Sequence, residues 1–136
     1  MDRIDSISIE TDSSPALTGN VLPLLHELRH ALEDFAANGT EHSIDLNSLP
    51  LAPQESQQLD RLLGNGEVRA QLDALGTSDI IETAIPGVWR VTHHNGDHVL
   101  VAQFLEITDC PAILKSQPQD LPSGISQLEQ LIDDFG

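Results

Sequence analysis

Cysteine, basic side chains, aromatic rings and long apolar runs are all scarce in this chain. Cys110 is the one cysteine. It has no partner for an intrachain disulfide, so nothing points to an oxidising compartment. With no second cysteine beside it an iron–sulfur cluster on this chain is disfavoured, and Cys110 reads as a buried or half-buried free thiol, with a transient role in thiol or metal handling as the alternative. Lys and Arg number 6 against 22 Asp and Glu, a formal net charge of −16 with the histidines neutral. That balance argues against nucleic acid and anionic membranes, whose binding needs cations. It suits a basic partner, or simply keeps the protein soluble. The aromatic rings are Phe35, Trp89, Phe104 and Phe135, with no tyrosine, so there is no base-stacking platform. No apolar run approaches the roughly 20 residues of a membrane span. The start, Met1-Asp2-Arg3-Ile4-Asp5, lacks the basic region and apolar block of a signal peptide. The expected location is therefore the cytoplasm. Nucleophile elbow, phosphate loop and dinucleotide fingerprint are missing too, and Gly64-Asn65-Gly66 is explained as a helix stop.

What is present is patterned. The 136 residues suit one domain with a real core. Residues 1–19 are polar and broken by Asp12-Ser13-Ser14-Pro15, which reads as a flexible arm, with Ile7 and Ile9 alternating as in an edge strand. Asn20 to Asn38 reads as a helix, N-capped by Asn20 and stopped at Asn38-Gly39. At 100° per residue Val21, Leu24, Leu25, Leu28, Leu32 and Phe35 form one stripe with Ala31 at its edge, while His26, Glu27, His30, Glu33 and Asp34 fall on or toward the other side. His42 to Leu46 suits a short strand, and Pro53 to Leu63 a second helix with Pro53 in its first turn and Gly64 at its end. Its apolar side is narrow: Leu59, Leu62 and Leu63. Glu67 to Leu72 alternates as a half-buried strand, Gly76-Thr77-Ser78 turns, and Asp79 to Ile85 is the next strand. Pro86-Gly87 is either a type II turn or a kink within one long strand.

Residues 88–105 read as a hairpin about Asn95-Gly96, the pair that a two-residue type I′ loop prefers. That loop sets Val91 opposite Leu100, His93 opposite His98 and Trp89 opposite Ala102. Trp89, Val91, His93, His98, Leu100, Ala102 and Phe104 then share a face. A last helical region starts near Pro111, is interrupted at Pro118 and resumes from Pro122, with Ile125, Leu128, Leu131, Ile132 and Phe135 on its inner face. The order α-β-α-β-β-β-β-α implies an α+β domain over residues 20–136: a mostly antiparallel sheet of four or five strands with about three helices packed on one face.

Two groups of histidines could carry metal chemistry. His26-Glu27-Leu28-Arg29-His30 matches H-E-x-x-H on a helix, where two imidazoles one turn apart can ligate zinc and the glutamate can activate water. Against a zinc-dependent hydrolase stand Arg29 inside the motif, Glu33 and Ala36 where the longer pattern needs glycine and histidine, a position facing away from the apolar stripe, and no third ligand marked by spacing. His93 and His98, with His94 and Asp97 nearby, could chelate weakly across the hairpin. The competing readings of these residues are a zinc-binding protein or metallohydrolase, a metal-handling adaptor, and a solvated polar surface on a protein with no catalytic residues.

Several separated motifs carry a resemblance. Asn20-Val21-Leu22-Pro23-Leu24-Leu25-His26-Glu27-Leu28-Arg29-His30-Ala31-Leu32, then Ile44-Asp45-Leu46, Leu49-Pro50-Leu51 and Gly64-Asn65-Gly66-Glu67-Val68, followed by Glu82-Thr83-Ala84-Ile85-Pro86-Gly87-Val88-Trp89, Thr92-His93 and Ser116-Gln117-Pro118, resemble in order the HupH/HyaF/HoxQ family of hydrogenase expression proteins. The resemblance covers about residues 20–134 and implies a non-enzymatic accessory of [NiFe]-hydrogenase maturation that carries no cofactor. It implies a chaperone for the precursor of the small subunit, which bears iron–sulfur clusters and a twin-arginine signal. Longer members carry two such domains, so a homodimer or a further hydrogenase accessory protein is an expected partner. Two surfaces are candidates for the client: the ridge of Pro86, Gly87 and Trp89, and the helix face of His26, Glu27 and His30. For Trp89 core packing under the first helix is the favoured reading over a surface role, since it shares a face with Val91, Leu100 and Phe104.

Overall fold

The computed structural model describes residues 19–136. The expected arm, with its alternating Ile7 and Ile9, lies outside the described residues except for Gly19. Helix α1 runs Val21–Asn38 and α2 runs Pro53–Leu63. The strands are β1 His42–Asp45, β2 Arg69–Asp73, β3 Thr77–Glu82, β4 Val88–His94 and β5 Leu100–Ile107, and helix α3 closes the chain at Leu121–Phe135. The five strands form one sheet ordered β1-β5-β4-β3-β2, with every pairing antiparallel. The architecture is thus the α+β fold that the element order implies. Thr77 and Ser78 belong to β3 rather than to the turn before it, and the strand ends at Glu82.

Helix α1 stops as its sequence dictates: Gly39 takes φ 73° and returns its N–H to the Phe35 carbonyl at 2.8 Å. Its start differs. Asn20 does not cap with its side chain, which donates instead to the Pro50 carbonyl at 2.9 Å, and its backbone N–H donates to Oε2 of Glu55 at 2.9 Å. The other carboxylate oxygen of Glu55 accepts from Ala52 N–H at 3.0 Å. Glu55 is buried and ties the starts of α1 and α2 together.

Alternation along the sheet makes two faces. On one, Ile44, Val88, Leu105 and Ile107 pack under Leu24, Leu28 and Ala31 of α1 and Leu59 and Leu63 of α2, with Leu25, Leu32 and Phe35 partly buried beside them. Each fully buried leucine here contributes about 1.5–3 kcal/mol. On the other face Ile80, Trp89 and Val91 form a smaller cluster with Ala70, Leu72, Phe104 and Leu114.

The β4–β5 hairpin departs from the expected register. Its loop is one residue longer than the Asn95-Gly96 pair predicts: Asn95 N–H donates to the Val99 carbonyl, His98 N–H to the Asn95 carbonyl, and the positive φ (63°) falls on His98 instead of Gly96. This is a type I turn followed by a left-handed residue. The Asn95 side chain accepts from the N–H groups of Asp97 and Val99, which stabilises this alternative to a type I′ turn. A bulge at His93/His94 adds to the shift, so Val91 faces Phe104, Trp89 faces Glu106 and His93 faces Ala102. The displacement along most of the hairpin is an even number of residues. Trp89, Val91, His93, Ala102 and Phe104 therefore keep the face predicted for them, while the His93–His98 pair is lost.

Helix α3 departs more sharply. Its stripe forms at the expected residues, yet nothing described covers it: Ile125 is 59% exposed, Leu128 61%, Ile132 68% and Phe135 96%. Periodicity reports an apolar face; it does not supply the surface that covers one. The two helices on the sheet are α1 and α2.

Candidate functional site

Pro86-Gly87 resolves as a turn. Val88 N–H donates to the Ile85 carbonyl at 3.0 Å, and Gly87 sits at φ 90°, the position where a type II turn needs glycine. Thr83, buried just before it, braces the loop: its hydroxyl donates to the Val88 carbonyl at 2.7 Å and accepts from Ile85 N–H at 3.2 Å. A Cβ on Gly87 would come within 2.8 Å of Leu32 Cδ1, so the turn lies directly against α1. Pro86 and Ile85 are exposed on its crest.

Trp89 is not on that crest. It is 6% exposed, and its indole N–H donates to the Thr108 carbonyl at 3.1 Å. Thr108 N–H in turn donates to the Gly87 carbonyl, and its hydroxyl to Glu41 at 2.6 Å. Trp89 therefore supports the ridge from beneath. The structure gives it the core position the sequence favours, but not under the first helix: α1 covers the face of Val88 and Leu105, and Trp89 points to the other face, where Leu114, Leu72 and Phe104 pack beside it.

Between the turn and the helices lies an apolar groove of about 380 Å³. Leu25, Leu28 and Leu32 of α1 form one wall and Leu62 and Leu63 of α2 the other, with Val88 and Ile85 from the sheet end. Arg29 is its one charged lining residue. Leu62 is 53% exposed, so the narrow stripe read for α2 splits: Leu59 and Leu63 enter the core and Leu62 lines the groove.

The three α1 residues of the H-E-x-x-H motif are all exposed and border two different surface depressions. His26 borders a shallow depression with Leu22, Leu25 and Arg29, on the groove side. Glu27 and His30 line a polar cleft of about 370 Å³ against β1, with Asp34, His42 and Ser43. There His42 Nε2 lies 2.9 Å from Asp34 Oδ2, and Asn38 donates to Oδ1 at 2.7 Å. These hydrogen bonds, from Asn38 first and His42 second, hold the Asp34 carboxyl below its ordinary pKa. His30 Nε2 lies 3.3 Å from the Arg29 guanidinium, a cation beside a would-be ligand. Among the described residues no group of three or more His, Cys, Asp or Glu side chains is placed to hold a metal ion.

The hairpin histidines are separated too. His93 Nδ1 pairs with the Ser78 hydroxyl at 2.7 Å and meets the Phe104 ring edge-on at 5.9 Å, while His98 sits in the turn. Cys110 is half-buried, with Sγ 3.7 Å from the Pro111 carbonyl. Glu106, on the Trp89 face, is pushed above the usual carboxylate range by burial, with His93 opposing that shift and Glu41 adding to it.

Two features escaped the sequence reading: the groove, which needs the α1–α2 approach to exist, and Glu55. A glutamate three residues after a helix start is a recognised capping signal, but the Asn20 partner comes from 35 positions away.

This arrangement has close counterparts. The hydrogenase expression protein HupH from Thiobacillus denitrificans superposes with a TM-score of 0.81 at 38% identity, over 86% of this chain and 98% of that one. Among curated proteins, the hydrogenase expression/formation protein HoxQ of Azotobacter vinelandii is 31% identical over 82% of this chain, and HoxQ of Cupriavidus necator 28% identical over 92%. The chain spans 40% and 44% of the length of these two relatives. Residues 18–135 match the C-terminal conserved region of the HupH hydrogenase expression protein, and the chain belongs to that family.

Proposed function

We propose that this chain is a non-enzymatic accessory of hydrogenase maturation that holds the precursor of the hydrogenase small subunit in the cytoplasm before assembly and export. The family match across residues 18–135 is the observation that carries this reading. The net charge of −16 supports it, since an acidic surface steers and orients a client with a basic signal region. The histidine motif favours docking over hydrolysis: His26 and His30 stay one turn apart on the exposed side of α1, and no third ligand completes a metal site with them among the described residues. The client contacts proposed are His26, Glu27 and His30 on α1 and the Pro86-Gly87 crest, with Trp89 setting the crest's position.

Native mass spectrometry of the purified chain, alone and mixed with unprocessed small subunit, tests this. A metal-free chain in a defined complex with the precursor is the expected result. Stoichiometric zinc on the free chain without any complex would overturn it in favour of a metal-dependent role.

A further inference from the structure

The molecule carries two apolar surfaces that nothing described covers: the stripe of α3 and the groove between α1 and α2. They are complementary in kind. A helix with anchors at Ile125, Leu128, Ile132 and Phe135 follows the i, i+3, i+7 spacing with which amphipathic helices fill grooves. The groove's volume of about 380 Å³ lies within the ~300–1,000 Å³ range of ligand-sized sites. Their charges agree as well. The charged residues of α3 are Glu129, Asp133 and Asp134, with no Lys or Arg, and the one charged residue lining the groove among the described residues is Arg29, whose guanidinium lies 3.4 Å from Glu33 on an exposed i, i+4 pair. Glu129 and Asp133 fall on the flank next to Ile125, where a rim cation would meet them. Packing α3 against another α3 would instead bring like charges together on two strongly acidic chains.

We infer that α3 seats in the α1–α2 groove of a second copy of this chain, reciprocally, forming a two-fold dimer. The groove lies on the sheet face covered by α1 and α2, whereas Leu114, seven residues before α3 begins, is packed on the opposite face with Trp89. The chain therefore launches α3 from the side away from its own groove, and a partner's groove is free of that restriction. Reciprocal exchange uses each helix once and doubles the buried surface, which brings a 15-residue helix toward the ~1,200 Å² of a specific interface.

Sedimentation equilibrium of the full chain and of two surface variants tests this. Ile132→Asp spoils the helix and Leu62→Asp spoils the groove; both residues are more than half exposed, so the domain's thermal melt serves as a control for folding. The wild type is expected to be a dimer. Each variant alone is expected to dissociate at least about 100-fold more readily, since a leucine-sized contact is replaced by a charge at both of the two symmetry-related seats. An equimolar mixture of the two is expected to recover association in part, because one of its two seats pairs the intact helix of the Leu62→Asp copy with the intact groove of the Ile132→Asp copy. A monomeric wild type would overturn the proposal, pointing to α3 folded onto its own chain or left for another protein. Loss of the dimer with Ile132→Asp but not with Leu62→Asp would also overturn it, in favour of helix-on-helix pairing.

Discussion

Helices α1 and α3 look alike in sequence and end differently. Each carries an aliphatic stripe ending in a phenylalanine at helical spacing, built on leucine in α1 and on leucine and isoleucine in α3, and each is followed by a glycine. In α1 the stripe closes over Ile44, Val88, Leu105 and Ile107, and Leu24 and Leu28 are about 5% exposed. In α3 no residue is buried. The difference lies in what stands opposite. The sheet offers α1 four apolar side chains on one face, and Glu55 and Gly87 hold the helix onto them. Helix α3 leaves from the other face, where Leu114 already packs on Ile80, Trp89 and Val91 together with Ala70, Leu72 and Phe104. A stripe is a demand for burial; the neighbours decide whether it is met.

Substitutions along both helices should widen or erase that contrast. The largest effect is expected from Leu28→Ala, which empties a core position and costs about 2–5 kcal/mol in a chemical denaturation curve. A cost close to zero would mean that α1 is no better seated than α3. Glu55→Ala comes next, at about 2–3 kcal/mol, because two backbone N–H groups at the helix starts lose a charged acceptor. Hydrogen exchange should then quicken first at the beginnings of α1 and α2. Gly87→Ala forces a side chain into the left-handed region and against Leu32 of α1, and a loss of about 1–2 kcal/mol should appear as a lower melting temperature.

A smaller, pH-dependent effect should come from Asp34→Asn near the end of α1. The folded Asp34 carboxyl titrates below its ordinary range, so the unfolded chain takes up its proton first as the solution is acidified. Its contribution is complete above the unfolded value and is lost as pH falls through the folded one. Melting temperatures of wild type and Asp34→Asn should therefore converge on acidification; a gap independent of pH would contradict the His42 and Asn38 contacts. Smallest of all is Leu128→Ala on α3. At protein concentrations too low for self-association it should change domain stability by less than about 0.5 kcal/mol, as exposed positions do. A core-sized loss there would show that α3 is covered within the monomer.

Much of this was legible in the chain. Gly39 and Gly64 marked helix ends, Pro53 a helix start, and alternation placed Trp89, Val91 and Phe104 on one face. Pro86-Gly87 signalled a turn without revealing whether the strand ran through it. The hairpin register was misjudged because Asn95 has two local options: a type I′ turn with Gly96, or the side-chain bonds to Asp97 and Val99 that lengthen the loop. Local sequence does not rank these when strand pairing decides between them. The candidate site was legible only by its pieces. The α1 motif and the crest were visible, but the apolar groove joining them depends on residues 25 to 88 meeting in space.

The sequence by itself determined the elements, their order and the faces on which apolar side chains would lie, since these follow from backbone geometry and spacing within a few residues. Tertiary structure decided which faces were satisfied. It buried Trp89 and Glu55, drew α1 and α2 apart enough to leave a groove, and left α3 bare, because burial is a property of two surfaces meeting and each sequence segment specifies only one of them.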